Sequence, residues 1–266
     1  MKKKRITWKE IKEEIREHKS SFAVYMILRI LVIITMILQL FNRNYENVFL
    51  CALTLILFVV PGFIQAEFKI ELPTTLEIII LLFIFSAEIL GEINSFYLIF
   101  PHWDTMLHTL NGFLAAAVGF SLVDLLNKDD RLQFYLSPLF MAIVAFSFSM
   151  TFGVLWELFE FGMDQLLGFD TQKDTIIHMI NTVELDPTLS NSVVSIKDIT
   201  DVIVNGQSLG LGGYLDIGLI DTMHDLIVNF IGAIVFSIFG FIYIKNRGKK
   251  SFASRFIPIR KNTQKS

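Results

Sequence analysis

Six carboxylates, Asp104, Glu157, Glu160, Asp164, Asp221 and Asp225, fall inside or at the lips of apolar, membrane-length segments, accompanied by His108, His224 and Asn229. Oxygen-rich donor sets with one or two imidazoles suit a divalent cation, with geometry deciding among Mg, Mn, Ca and Zn. Their spacing sorts them into three sets. Asp104, His108 and Asn111 follow at i, i+4 and i+7; Glu157, Glu160 and Asp164 at i, i+3 and i+7; Asp221, Asp225 and Asn229 at i, i+4 and i+8, with His224 beside them and Gly232 continuing the line. On an α-helix each set shares one face. Glu88 and Glu92, four apart, would extend the wall of the same site.

A charge at the centre of a bilayer costs about 2.5–3.5 kcal/mol on insertion scales, so a cluster of this size points to function. The bland reading of any single member is an interhelical hydrogen bond worth about 0.6 kcal/mol, or an N-cap for Asp104 and Asp221 near helix starts. Capping does not account for Glu157, Glu160, Asp225 and His108 together. Arg29 is the only strongly basic residue deep in a span, and it falls at the wrong end of its helix to pair with the cluster. Three neutralisers remain: protons held by raised carboxylate pKa values, a bound cation, or a cationic group of a substrate.

The elements that must position these residues are membrane helices. The chain has 266 residues, of which 53% are hydrophobic and 26 are Phe, against roughly 45–50% apolar residues in soluble domains. A single cysteine, Cys51, excludes an internal disulfide framework and a cysteine-based zinc site. Windows of about 20 apolar residues, enough to cross a bilayer, lie at roughly 21–42, 47–65, 74–94, 104–126, 139–167 and 220–244. The expected fold is all-α, a polytopic membrane helix bundle of about six transmembrane helices over 21–244 with one long extracytoplasmic loop, 169–219. A basic amphipathic helix precedes it over 1–20, where Thr7 and Glu10 have capping-box spacing and Trp8, Ile11 and Ile15 repeat at helical intervals. A basic tail, 245–266, follows. No small-residue cleavage site ends the first apolar run, so the first span is expected to be retained.

Charge sets the orientation. Eight Lys/Arg lie in the first 20 residues and eight more from Lys245 onward, which places both termini in the cytoplasm and demands an even number of spans. The basic loop Lys128 to Arg131 falls on the same side. The segment Phe169 to Leu219 falls outside; its apolar positions from Val193 to Ile203 suggest one or two short surface helices, and Asn205-Gly206 and Gly210 to Gly213 mark turns. The fourth and sixth spans then enter from outside at Asp104 and Asp221, and the fifth leaves past Asp164. All three polar faces therefore lie in the outer half of the membrane. Asp221 to Asn229 spans about 12 Å at 1.5 Å per residue, which describes a funnel with Asn229 at its bottom.

Asp104-x-x-x-His108-x-x-x-Gly112, the run Trp156 to Phe161, and Asp221-Thr222-x-x-Asp225 leading to Gly232-Ala233 resemble the YjdF family of bacterial inner-membrane proteins. The resemblance covers Pro101 to Ala233. A weaker similarity is to VanZ-like membrane proteins, matched by Asp225, Asn229 and Gly232, although those favour Gln where this chain has Glu160. YjdF-like proteins usually connect to the last motif more briefly, so the long outer loop belongs to this branch. The resemblance implies a bacterial plasma-membrane location and a six-helix core, and brings no settled activity with it.

Three functions compete. In the first, Asp104, His108, Glu157, Glu160, Asp164, Asp221 and Asp225 hold a divalent cation that activates water or polarises a phosphoryl or acyl group of an envelope lipid, while Glu160 or His224 moves the proton. The chain has no His-Glu-x-x-His, Gly-x-Ser-x-Gly or Walker-type loop to name a familiar catalyst. In the second, the carboxylates serve a proton- or cation-coupled transporter, against which stand the one-sided polar faces and the lack of an inverted repeat. The third is a non-catalytic module sensing an envelope ligand. Membrane lipids are the expected partners; the basic termini fix topology and touch anionic lipid rather than bind nucleic acid.

Overall fold

The computed structural model describes residues 19–68, 70–127, 136–246 and 252–260. The amphipathic helix expected before the first span, the loop 128–131 and the end of the basic tail lie outside the described residues. The elements run α1 (Lys19–Phe41), α2 (Tyr45–Leu57), α3 (Val60–Phe68), β1 (Ile70–Glu71), α4 (Thr74–Phe85), a π-helix (Ser86–Ile93), α5 (Phe96–Ile99), α6 (Trp103–Asn127) and α7 (Pro138–Leu167). Six short strands follow: β2 (Ile176–Ile177), β3 (Ile180–Thr182), β4 (Val194–Ile196), β5 (Ile203–Val204), β6 (Gln207–Ser208) and β7 (Tyr214–Leu215). The chain closes with α8 (Leu219–Lys245), a 3-10 turn (Phe252–Arg255) and β8 (Ile259–Arg260).

Among the described residues, five helical stretches are long and apolar enough to cross a membrane: Lys19–Phe41, Tyr45–Glu67, Trp103–Asn127, Pro138–Leu167 and Leu219–Lys245. Pro61 does not end the second of them. It sits in the first turn of α3, where a residue without an N–H removes no helical bond. Asn44 starts α2 by accepting the Asn47 N–H at 3.1 Å. The third window, 74–94, is realised differently from an ordinary helix: α4 passes without a gap into the eight-residue π-helix, whose i→i+5 bonding resets the helical faces.

Strand pairing ties the start of that run to the residues after α8: β1 pairs antiparallel with β8, Ile70 opposite Arg260 and Glu71 opposite Ile259.

By packing, the chain divides into two compact units, Met1–Thr151 with Val228–Ser266, and Phe152–Ile227. In the first, Leu28, Val32, Cys51, Phe58, Leu81 and Ile89 form one buried cluster joining α1, α2 and α4. A second cluster gathers Leu76, Leu114, Phe120, Met141, Ala145 and Phe236 around the residues after α8, Ala253, Phe256 and Ile257. The tail is therefore part of the bundle. Phe256 meets Phe113 at 4.9 Å and Phe236 at 6.4 Å between ring centroids, both nearly edge to face.

The second unit holds the C-terminal part of α7, the first turns of α8 and the loop between them. The short surface helices expected over Val193 to Ile203 do not form; Val194–Ile196 and Ile203–Val204 are strands, each held by a partner strand. β2 pairs with β7, β3 with β4, and β5 with β6. Asn205 and Gly206, at φ 53° and 82°, make the two-residue turn of the last hairpin, where both central residues need positive φ.

Candidate functional site

In the first unit, α6, α7 and α8 converge on Asn229, which is 0% exposed. Asn111 Nδ2 approaches Asn229 Oδ1 at 3.5 Å, and Asn229 Nδ2 approaches the Ser149 carbonyl at 3.5 Å. Ser149 Oγ donates to the Gly112 carbonyl at 2.7 Å. This contact is possible because Gly112 and Gly232 bring α6 and α8 together backbone to backbone: a Cβ on Gly112 would stand 2.1 Å from the Asn229 carbonyl oxygen, and one on Gly232 2.1 Å from that of Thr109. Small residues at such crossings are what permit close approach in lipid. Toward the N-terminus of α6, His108 Nε2 lies 3.5 Å from Asp104 Oδ1. Asp104 occupies the first turn, where a carboxylate is favoured by the helix dipole.

Glu88 is half-buried and Glu92 exposed in the π-helix. Four residues of a helix bonded i→i+5 nearly complete one turn, so the two carboxylates stay on neighbouring positions of one side. Arg29 is engaged on its own helix: its guanidinium donates to the Tyr25 hydroxyl and stacks 5.6 Å from that ring.

In the second unit, Glu157 is 6% exposed and Asp225 2%. Glu160 and Asp221 are half-buried, and His224 is exposed with its Nδ1 3.8 Å from Asp225 Oδ1. Asp164 has a different occupation. Its Oδ1 accepts from both the N–H and the hydroxyl of Thr171 at 2.6 Å, and its Oδ2 from the Gln172 N–H at 2.9 Å. Thr171 also donates to the Glu160 carbonyl at 3.0 Å. Asp164 thus ties the start of the loop to the end of α7. Asp221 plays a related part, with Oδ2 accepting the Lys173 N–H at 2.7 Å, while Gln172 donates to the Thr222 hydroxyl.

The same bonding sets the charge of the loop. Burial pushes the Asp216 pKa up, but the N–H groups of Thr175, Ile220 and Gly218 outweigh it and hold the carboxyl below its ordinary range. The Thr188 hydroxyl, with the N–H groups of Ser192, Thr188 and Ser190, holds Asp186 far below it. The Ser208 hydroxyl lowers Asp201. Asp174 is shifted up, by burial and then by the neighbouring Asp170, Asp216 and Asp164. Groups with lowered folded pKa stabilise the loop above the ordinary carboxylate value, about 3.9 for Asp, and lose that contribution as pH falls through the folded values. Asp174 acts oppositely, its repulsion being relieved as it protonates. Amide hydrogen exchange across 175–216 is therefore expected to stay slow from pH 7 to about pH 4 and to accelerate only below the ordinary Asp value. Asp216→Asn should abolish part of that acid sensitivity at 175–177.

Two buried polar residues escape a reading based on charged stripes. Ser149 links two helices from within the run Phe148-Ser149-Met150, where only its small size marks it. Asp124, 1% exposed, sits near the other end of α6; its charge within an apolar run is the signal that would have found it.

Residues 24–246 match the family described as predicted membrane proteins, DUF2238. An uncharacterised protein of Thermotoga maritima is 28% identical over 114 residues. That stretch covers 41% of this chain and 57% of the relative, so the match spans little more than half of the relative's length. No solved structure matches.

Proposed function

The chain belongs to the DUF2238 family of predicted membrane proteins, and from that premise we propose that it is a bacterial plasma-membrane protein that holds a divalent cation in the outer half of the bundle and uses it on a lipid or envelope substrate. The YjdF-type motifs place it in that group in our reading, with both termini cytoplasmic. Kinship with VanZ-like proteins rests on Asp225, Asn229 and Gly232 alone.

The observation that carries the reading is the Asp104–His108 pair, two turns above the Asn111–Asn229 contact on one face of α6. At 3.5 Å the pair is longer than the 2.7–3.2 Å of a good hydrogen bond, a separation that suits two ligands of a common ion. Asp225, buried on α8 four residues before Asn229, joins Asp104 and His108 as a ligand in this reading. Two carboxylates and one imidazole form a donor set compatible with Zn or Mn and with open positions left for water.

Glu157, Glu160 and Asp221 complete the acidic surroundings in this reading, and His224, exposed beside Asp225, carries the proton to and from bulk water. The cation would acidify bound water and steady a developing oxyanion. Metal content decides the matter. Protein purified without chelators should carry a stoichiometric divalent metal, lost in Asp225→Asn and Asp104→Asn and retained in Asp164→Asn. A wild type without metal sinks the centre; cation flux into liposomes that the same substitutions abolish would replace it with a carrier.

A further inference from the structure

A groove of about 500 Å³ runs along α6 beside the polar face, between that helix and α8. Thr105, Met106, Thr109 and Phe113 form one wall, Val235 the other, and His102 stands at the mouth. It lies beside the same glycine crossing, where Gly232 presses on the Thr109 carbonyl. The size falls within the ~300–1,000 Å³ usual for ligand sites.

The character of the walls selects the occupant. No charged side chain lines the groove below His102. The Thr109 hydroxyl is engaged by the Thr105 carbonyl of its own helix at 2.7 Å, which removes a donor that a polar ligand would need. Met106 and Val235 are exposed on the open side, and both belong to membrane-spanning helices, so hydrocarbon is what meets them. The groove is open along its length, and at one end Phe113 is held edge to face by Phe236 at 5.1 Å and by Phe256 of the tail at 4.9 Å.

Register connects this groove to the polar face. Thr105 and Thr109 each follow by one residue the pair Asp104 and His108, which puts the groove next to that pair at about 100° around the helix. We propose that the groove holds one acyl chain of a membrane phospholipid, with the headgroup at the His102–Asp104 end, and that phospholipid is accordingly the substrate class of the cation site. The inference rests on the cation reading for its catalytic meaning but not for its binding geometry.

Phospholipid carrying a photoactivatable diazirine in mid-chain, reconstituted with the full chain in phosphatidylcholine–phosphatidylglycerol vesicles, tests it. Label should concentrate on residues 105–113 and 232–235, several-fold above the exposed Val118, Leu122 and Leu126 of the same helix, and Met106→Trp or Val235→Trp should abolish that excess. Both substituted residues are exposed, so folding is not at stake. Label spread evenly over α6, or unchanged by either tryptophan, overturns the proposal. So does displacement by free fatty acid but not by unlabelled phospholipid, which would make the occupant a free acyl chain. Metal content of Met106→Trp should equal that of the wild type; absence of metal in both tells against the cation centre, whereas the label pattern alone judges the groove.

Discussion

Gly232→Ala is expected to destabilise the bundle by about 3 kcal/mol or more, at the upper end of what overpacking a well-filled interior costs. The added methyl would stand 2.1 Å from the Thr109 carbonyl oxygen and 2.9 Å from the Phe113 nitrogen. Both are backbone atoms, so no rotamer change relieves the clash and α6 and α8 must part. Parting loosens the Asn111–Asn229 approach and with it the alignment of every polar group above. Gly112→Ala meets the Asn229 backbone at the same 2.1 Å and should behave alike. Gly162→Ala is the control: an added Cβ there finds nothing within 4 Å, and alanine favours a helix by about 0.8–1.0 kcal/mol over glycine. Thermal unfolding in a single detergent should therefore lower the midpoint for the first two and leave the third unchanged or raised. Equal midpoints for all three would mean that the helices do not touch at these glycines.

The second large effect is expected at Phe256. Its ring is buried against Phe113, Phe236 and Phe252, and truncating a buried phenylalanine costs about 3–5 kcal/mol in well-packed cores. Phe256→Ala should accordingly lower the unfolding midpoint about as much as Gly232→Ala, and should also expose the Arg255–Phe256 bond to trypsin in intact membranes. Phe252→Ala removes a half-exposed ring and should cost clearly less. A tail cleaved equally in wild type and Phe256→Ala would show that it does not lodge between the helices.

These two positions differ in how far they can be read from sequence. Gly112 and Gly232 stand on the polar stripes that helical spacing defines, so their role in close packing is legible. Phe256 lies in a tail whose basic residues dominate its composition, and nothing local says that Phe256 and Ile257 find partners on α6 and α8. The outer loop shows the same limit. Its turn at Asn205-Gly206 is legible because a two-residue hairpin turn needs positive φ at both centres, whereas the strands on either side owe their existence to partners: Ile176 to Leu215, Ile180 to Ile196. The π-helix is another case: the apolar run 74–94 predicts an ordinary helix, and the change to i→i+5 bonding from Ser86 leaves no mark in hydropathy.

The sequence by itself determined the class of the molecule, the positions of its apolar helices to within a few residues, and the gathering of its acidic groups onto helix faces, because hydrophobicity and helical periodicity are local properties. Tertiary structure decided which carboxylates hold the loop. The segment after α7 supplies N–H and hydroxyl donors to both oxygens of Asp164 and an N–H to Asp221 Oδ2. Asp104 and His108 stay within reach of each other at 3.5 Å. The Lys173 N–H that Asp221 accepts comes from 48 residues away in sequence, and a partner that distant leaves no trace in local spacing.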